Sequence, residues 1–463
     1  MNDDAQATPR MIRNRVFDDI AIGDSASIER TLTAADLHGF TAWSGEADAV
    51  DAGSGHDLIA PGLWAASLIA ALLATRLPGP GTAYFGQTLH FRAPVRIGDS
   101  LHARVEVIAR DSAERRVTLA CACINQDGTI VIDGEAQVIA PAARIERPSI
   151  ALPPQGLTDG IGKPLLERAR PLGPVRVAVV HPCDESSLSA VFEAMRAGLI
   201  EPLLVAPRAR LEAVARAAGL DLSGLPIEDV PHSHAAAARA VALAGACKVE
   251  ALMKGCLHTD ELMSAVLAHG SPLRTERRAS HCYLMQTPAY PRPFIITDAA
   301  INIAPDLGAK ADIVRNAIEL ARIIGVDHPR VAILAAVETI NARMPATLDA
   351  AALCKMADRG QIAGATLDGP LAFDNAISAA AARIKGIASP VAGMADVLVV
   401  PDLESGNMLA KQLEYLGGAS SAGLVMGARV PIVLTSRADT SQTRTASCAL
   451  AALVAHRYRE VRP

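Results

Sequence analysis

Aromatic residues are scarce, making up 3% of 463 positions although 50% of the chain is hydrophobic. The apolar content is therefore Ala, Leu, Val and Ile, which suits buried parallel strands under Ala-rich helices rather than ring-stacked cores. No block of one charge sign occurs and the net charge is −5. A dedicated nucleic-acid surface is thereby excluded, and anionic ligands must be met by a few local Arg and Lys side chains. The cysteines, at 121, 123, 183, 247, 256, 282, 354 and 448, form no C-x-x-C pair. They read as reduced thiols, mostly buried, of a cytoplasmic protein. No His/Cys cluster suggests zinc, so no metal site is expected. There is no Gly-rich dinucleotide fingerprint and no nucleotide-phosphate loop. The longest clean apolar stretch, Leu63 to Ala74, is too short to span a bilayer, and the polar, acidic N-terminus shows no secretory signal.

The length calls for two or three domains, and a boundary falls between about 141 and 172. Pro141, Pro148, Pro153, Pro154, Pro164, Pro171 and Pro174 lie there with Gly156, Gly160 and Gly162. The expected division is a first domain over 1–143, a linker over 144–171 and a second domain over 172–463.

The first domain predicts a helix from Pro61 to Thr75, then strands over Ala83–Arg92, Ser100–Arg110, Arg115–Asn125 and Thr129–Ala140. Leu101, Ala103, Val105 and Val107 alternate with His102, Arg104 and Glu106. Asp127-Gly128 marks a hairpin turn. One helix and a meander of long strands suggest a sheet wrapped around a helix.

Beyond the boundary, strands and helices alternate. Expected strands are Val175–Val180, Pro202–Val205, Val249–Met253, Phe294–Thr297, Val331–Ala335, Val397–Val400 and Ile432–Leu434, each followed by a helical pattern. That order means an α/β domain with parallel strands, and an eight-unit barrel remains open. In either architecture the active site lies beyond strand C-termini, and polar clusters fall there. Lys254, His258, Thr259 and Asp260 follow one strand, with Thr259 or Asp260 available as helix cap. Arg274, Arg277, Arg278, Ser280 and His281 form the densest cationic patch. Asp298 and Asn302, then Glu338 and Asn341, follow further strands, and Asn407 stands where a helix begins. The last cluster is Thr435-Ser436-Arg437-Ala438-Asp439, read as opening the long C-terminal helix. A guanidinium beside a hydroxyl at a helix start suits a phosphoryl group, through the Arg donor fork and free backbone N–H groups.

Residues 172–456 resemble the phosphate acetyl/butyryltransferase family, closest to its butyryl-type branch. The strings are Met253–Asp260, Ile296–Asn302, Asp368–Asp374, Ser389–Gly393, Pro401–Asn407 and Thr435–Asp439. The resemblance implies two α/β lobes related to the isocitrate and isopropylmalate dehydrogenases, with a cleft between them. Lobe I would comprise about 172–292 and 430–463, and lobe II about 293–429. It implies an acyltransferase reaction: acyl-CoA plus phosphate gives acyl phosphate plus CoA, with the acyl group acetyl or butyryl. CoA and phosphate are substrates, and no permanently bound cofactor is implied. Ser436 would hydrogen-bond the carbonyl or phosphate oxygen, and Arg437 would bind phosphate. Arg278 lies in the stretch where the family places another phosphate ligand, and Lys254, His258, Thr259, Asp298, Asn302 and Asn407 would bind phosphate or CoA. Acetyl-type enzymes carry an Asp several residues beyond Ser-Arg as base for the thiol. Here Ala438 to Thr443 offers only Asp439, which follows Arg437 too closely, so the base stays open.

Residues 14–140 resemble MaoC-like hot-dog hydratases of (R)-3-hydroxyacyl-CoA. The matching strings are Phe40–Gly45, Ala60–Trp64, Pro78–Gly81 and Phe91–Asp99. The family's Asp and His stand here as Glu46 and Asp51, so the imidazole that moves a proton near neutral pH is gone. His56 follows in the next loop. The leading expectation is an acyltransferase fused to a hot-dog domain that is catalytically weak or silent and assembles a homodimer or larger homo-oligomer. A bifunctional enoyl-CoA hydratase/phosphate acetyltransferase stands second, and a non-catalytic CoA-binding assembly protein third.

Overall fold

The computed structural model describes residues 11–45, 59–148, 160–435 and 439–461, apart from the side chains of Ala35, His38 and Ala42. The chain divides into two compact units, Met1–Thr158 and Asp159–Pro463.

The first unit contains β1 (Met11–Arg13), β2 (Ser25–Thr31), α1 (Ala34–Ser44), α2 (Gly62–Thr75), β3 (Ala83–Phe91), β4 (Ser100–Asp111), β5 (Arg116–Ile124), β6 (Ile130–Ile139) and β7 (Glu146–Pro148). An antiparallel sheet of order β2-β4-β5-β6-β3 packs on α2, which buries Trp64, Ala65, Leu68, Ile69, Leu72 and Leu73. Leu101, Ala103, Val105 and Val107 face that helix, as their alternation predicts, and Cys121 and Cys123 of β5 lie buried on the same face. The β5–β6 turn closes on Gly128 (φ +78°), whose N–H reaches the Asn125 carbonyl at 3.0 Å. A long helix enclosed by one antiparallel sheet is the hot-dog fold. The short β1 and β7 pair with each other.

The second unit opens with α3 (Gly162–Ala169), β8 (Val175–Val180), α4 (Glu185–Arg196), β9 (Ile200–Ala206), α5 (Arg208–Ala217), β10 (Ile227–Asp229), α6 (Ser233–Gly245), β11 (Ala251–Lys254) and α7 (Thr259–Leu267). Its middle holds β12 (Ser280–Gln286), β13 (Phe294–Thr297), α8 (Leu307–Ile323), β14 (Arg330–Leu334), α9 (Pro345–Asp358), β15 (Thr366–Leu371), α10 (Phe373–Ile377) and α11 (Ala379–Ile384). It ends with β16 (Val397–Val399), α12 (Leu403–Tyr415), β17 (Ser420–Met426), β18 (Ile432–Val433) and α13 (Ser441–Glu460). The Pro- and Gly-rich stretch before β8 is thus structured at its ends: β7 is a strand, and α3 buries Leu165 and Ala169.

All eleven strands form one open sheet, order β10-β9-β8-β11-β18-β17-β12-β13-β16-β14-β15. This excludes the barrel. It also corrects the expectation of an all-parallel sheet, because β12 runs antiparallel to both β13 and β17, and β17 antiparallel to β18. Three reversals leave β8, β9, β10, β11 and β18 pointing one way and β13, β14, β15 and β16 the other. On one face a single core spans the whole sheet beneath α8 and α13. On the opposite face the core is split, one part under α6 and α7 and one under α10 to α12. That split makes the two lobes.

Candidate functional site

The reversal of strand direction decides which polar residues meet. Beyond the C-terminal end of β11 lie Lys254, His258 and Thr259. Lys254 is buried, with Nζ 3.4 Å from the Gly255 carbonyl. Gly255 is required there: a Cβ would lie 2.7 Å from the carbonyl oxygens of both Val180 and His181. The chain leaving β11 therefore runs flush against that leaving β8, with Gly255 and Cys256 N–H bonded to the Val180 and His181 carbonyls at 2.9 and 2.8 Å. His181, at φ +55°, sets its Nδ1 2.9 Å from the Cys256 carbonyl. α7 follows, capped by His258; Thr259 is its first residue, not its cap. Glu261 fastens this turn, accepting from Ser233 Oγ at 2.6 Å and from the His258 N–H at 3.4 Å.

β18 lies beside β11 with Met253 opposite Val433, so the chain leaving β18 through the buried Leu434 and Thr435 starts at the Lys254 edge. Ser436, Arg437 and Ala438 lie outside the described residues. The helix behind them starts later than expected: α13 begins at Ser441, capped by Thr440, whose Oγ1 accepts the Thr443 N–H at 3.2 Å.

Arg278, Asp298, Asn302 and Asn407 form a second group, around the end of β13. β12 is antiparallel to β13, so its start, next to Arg278, meets the end of β13, next to Asp298. Asp298 is buried, and its two oxygens accept the N–H groups of Ala300, Ile301 and Asn302 at 2.9, 3.1 and 3.1 Å, and Asn302 Nδ2 at 2.6 Å. Burial pushes the Asp298 carboxyl above its ordinary range, against those donors. Asn302 Oδ1 accepts Arg278 Nε, while its Nδ2 also reaches the Ala279 carbonyl at 2.9 Å. Arg278 is thus held through its guanidinium Nε while the residue stays exposed. Asn407 does not open its helix: α12 starts at Leu403, capped by Asp402, and Asn407 Nδ2 donates to the Ala299 carbonyl at 3.1 Å. Glu338 pairs with Lys385 at 2.7 Å, and Arg277 with Glu319.

The two groups flank the reversal of strand direction rather than following one set of parallel strands. The pairing of Ile432 with both Leu252 and Val425, of Val425 with His281, and of Tyr283 with Ile296 brings the end of β13 near the level of the β11 end, and Ile301 packs against the same core as Leu257 and Leu262. The sequence reading missed β12 because Ser280 and His281 were counted into a cationic patch. Its signal was a hairpin: the apolar Cys282 to Met285, a Pro-rich turn, then Phe294 to Ile296.

Beside these groups lies a cluster of which the sequence reading named only His281 and Asp439. His281 and Tyr283 of β12, Lys411 and Glu414 of α12 and Ser421 of β17 gather with Asp439. Lys411 Nζ stands 2.8 Å from Glu414 and 3.7 Å from Asp439, and Glu414 accepts the Ser421 hydroxyl. In the first unit, Glu46, Asp51 and His56 lie outside the described residues.

The large unit is thus a split-core, two-lobed sheet with cationic groups on both sides of its strand reversal. The comparisons name it. Residues 232–452 match the model of the phosphate acetyl/butaryl transferase family. The chain is 62% identical over 295 residues to a phosphate acetyltransferase of Rhizobium meliloti, across 64% of this chain and 93% of that one. A branched-chain phosphotransacylase from Enterococcus faecalis V583 superposes with a TM-score of 0.55 at 30% identity, covering 61% of this chain and 99% of that chain. R-hydratase PhaJ1 from Pseudomonas aeruginosa is 35% identical across 31% of this chain and 97% of that chain, with a TM-score of 0.29. The chain belongs to the phosphate acetyl/butyryltransferase family and is a phosphate acyltransferase carrying a hot-dog unit. Among the described residues no helix is long and apolar enough to cross a membrane.

Proposed function

We propose that the chain transfers an acetyl group between CoA and phosphate, with Ser436 and Arg437 as the reacting-site residues and Lys254, His258 and Thr259 as binders at the same edge. The observation that carries this is the register of β18 with β11, which starts the Ser436 segment beside Lys254. The 62% identity to an acetyltransferase favours acetyl over butyryl.

A phosphate oxygen attacks the thioester carbonyl, a tetrahedral oxyanion forms, and it collapses with loss of CoA thiolate. Two polyanions must be held together while charge builds on the carbonyl oxygen. Arg437 grips the phosphate through its planar donor fork, and the Ser436 hydroxyl donates to the oxyanion. Lys254 adds positive potential at the strand ends. The thiolate is an adequate leaving group and, in reverse, an adequate nucleophile, so a strong base is dispensable. Arg278, held by Asn302 and through it by Asp298, meets a second anionic group from the end of β13, with Asn407 steadying that loop.

The hot-dog unit is assigned to acyl-CoA binding and assembly of a homo-oligomer rather than to hydration, since Glu46 and Asp51 replace the carboxylate–imidazole pair. A matched pair of assays tests both halves. Phosphate-dependent CoA release from acetyl-CoA should be strong and exceed that from butyryl-CoA, while crotonyl-CoA should keep its enoyl absorbance. Rapid loss of that absorbance would show that Glu46, Asp51 or His56 sustains hydration, and the chain would be bifunctional.

A further inference from the structure

Two residues that no role yet claims, Lys411 and Asp439, lie where α12 meets the segment leading into α13. Asp439 stands two positions after Arg437 in the chain. Its side chain is 7% exposed and faces Lys411 at 3.7 Å. Lys411 is enclosed in turn: Glu414 lies at 2.8 Å, and the rings of Tyr283 and Tyr415 each lie 5.9 Å from Nζ. Glu414 is held by Ser421 of β17. The cation is thus fixed to a helix, to two strands of the central sheet and to Asp439.

The same helix face grips the second polar group. Asn407 and Lys411 are four residues apart and share a face. Asn407 donates to the Ala299 carbonyl at 3.1 Å, and the preceding Gly406 sits so close that a Cβ would lie 2.6 Å from the Asp298 carbonyl oxygen. α12 is therefore a strut, its first half seated on the Asp298–Asn302 loop and its second half holding Asp439.

We propose that Lys411 and Asp439 are positioning residues, whose pairing sets where the segment carrying Ser436 and Arg437 stands, and that Asp439 is not the base for the CoA thiol. This rests on the assignment of Ser436 and Arg437 given above. A carboxylate turned into the protein against a lysine has little access to a substrate thiol. Two residues of chain span at most about 7 Å, so an anchor at Asp439 bounds the distance at which Arg437 can act. Burial works against the Lys411 charge, but the Glu414 bond and the neighbouring Tyr283 and acidic groups outweigh it and raise its pKa, so the anchor stays cationic.

The test compares full-length Lys411→Met, Asp439→Asn and the double variant by phosphate-dependent CoA release, with kcat, KM and the pH profile of each. Each single change should lower kcat by about ten- to a hundredfold, as misplacement by about an ångström does. The double variant should be no worse than the poorer single, because both break one pair, and the limbs of the pH profile should keep their positions. Lys411→Arg should recover part of the rate. Independent, multiplying losses would overturn the pairing. Loss of a pH limb in Asp439→Asn, with Lys411→Met near the unaltered rate, would overturn the positioning role and make Asp439 the acid–base group. Melting curves verify folding; if either variant fails to fold, Asp439→Glu and Lys411→Arg supply the same comparison. Ser436→Ala and Arg437→Ala run beside them. Full activity in those would overturn the site assignment and this proposal together, whereas their loss with additive effects at 411 and 439 would overturn the strut alone.

Discussion

The two polar groups of the large sheet contain similar residue types and use them differently. In the Asp298 group nearly every polar atom is satisfied within the protein: Asp298 accepts four hydrogen bonds, Asn302 joins Asp298, Ala279 and Arg278, and Asn316 bonds the Arg278 carbonyl and Ser280. Such a network is rigid and has little capacity left for a ligand. In the Lys254 group the strand exits are locked by backbone bonds and a glycine, and the side chains of His258 and Thr259 stand at a helix start. The first group is built to hold a shape, and the second to receive an anion.

The largest expected effect tests that contrast directly. Arg437→Ala should cut the rate of CoA release by roughly 10²–10³, the usual loss when a donor to the reacting group is removed. Arg278→Ala should cost much less, since its guanidinium meets its anion from the other group. Equal losses in steady-state assays would mean that both groups serve the reacting phosphate, and the contrast would fail.

Next in size is Asp298→Asn. The amide nitrogen that it introduces would face N–H donors now accepted by a carboxylate, leaving buried groups unpaired at a cost of about 1–3 kcal/mol. The expected result is a lower melting temperature with the KM for phosphate little changed. A large rise in that KM without loss of stability would make Asp298 a ligand-side residue and place its group in the binding site.

Much of this was legible in the sequence. The alternation in β4 gave its buried face, and the helix expected over Pro61 to Thr75 is the α2 inside the hot-dog sheet. Local patterns are written in local residues. The direction of a strand is not: β12 carries the composition of a buried parallel strand, and only its hairpin to β13 and its pairing with β17 reverse it. Which loops meet depends on that direction, and no local pattern records it. Lys411 escaped notice for a related reason, since it looks like a surface charge until α12 is laid against Asp439. Ser436 and Arg437 lie outside the described residues, so their assignment rests on the motif and the resemblance.

The smallest expected effect concerns His281, the second residue of β12. It is fully buried, its ring stands 4.3 Å from that of Tyr283, and neither ring nitrogen has a hydrogen-bond partner among the described residues. Burial, reinforced by the Lys411 charge, pushes its pKa down from 6.5 to about 3. Folded protein therefore keeps the imidazole neutral while unfolded chain takes a proton near pH 6.5, so stability falls as the pH drops from there toward about 3. Glu250 acts in a lower window. Held by Arg459 and Arg176 against burial, its pKa is lowered from 4.5 to about 2, and its contribution is lost only below the ordinary carboxylate range. His281→Leu should thus flatten the melting temperature between pH 6.5 and the carboxylate range without lowering it at neutral pH, since an unsatisfied ring is replaced by an apolar side chain. An unchanged slope there would mean that the imidazole finds a partner in solution, and that the space around it admits water.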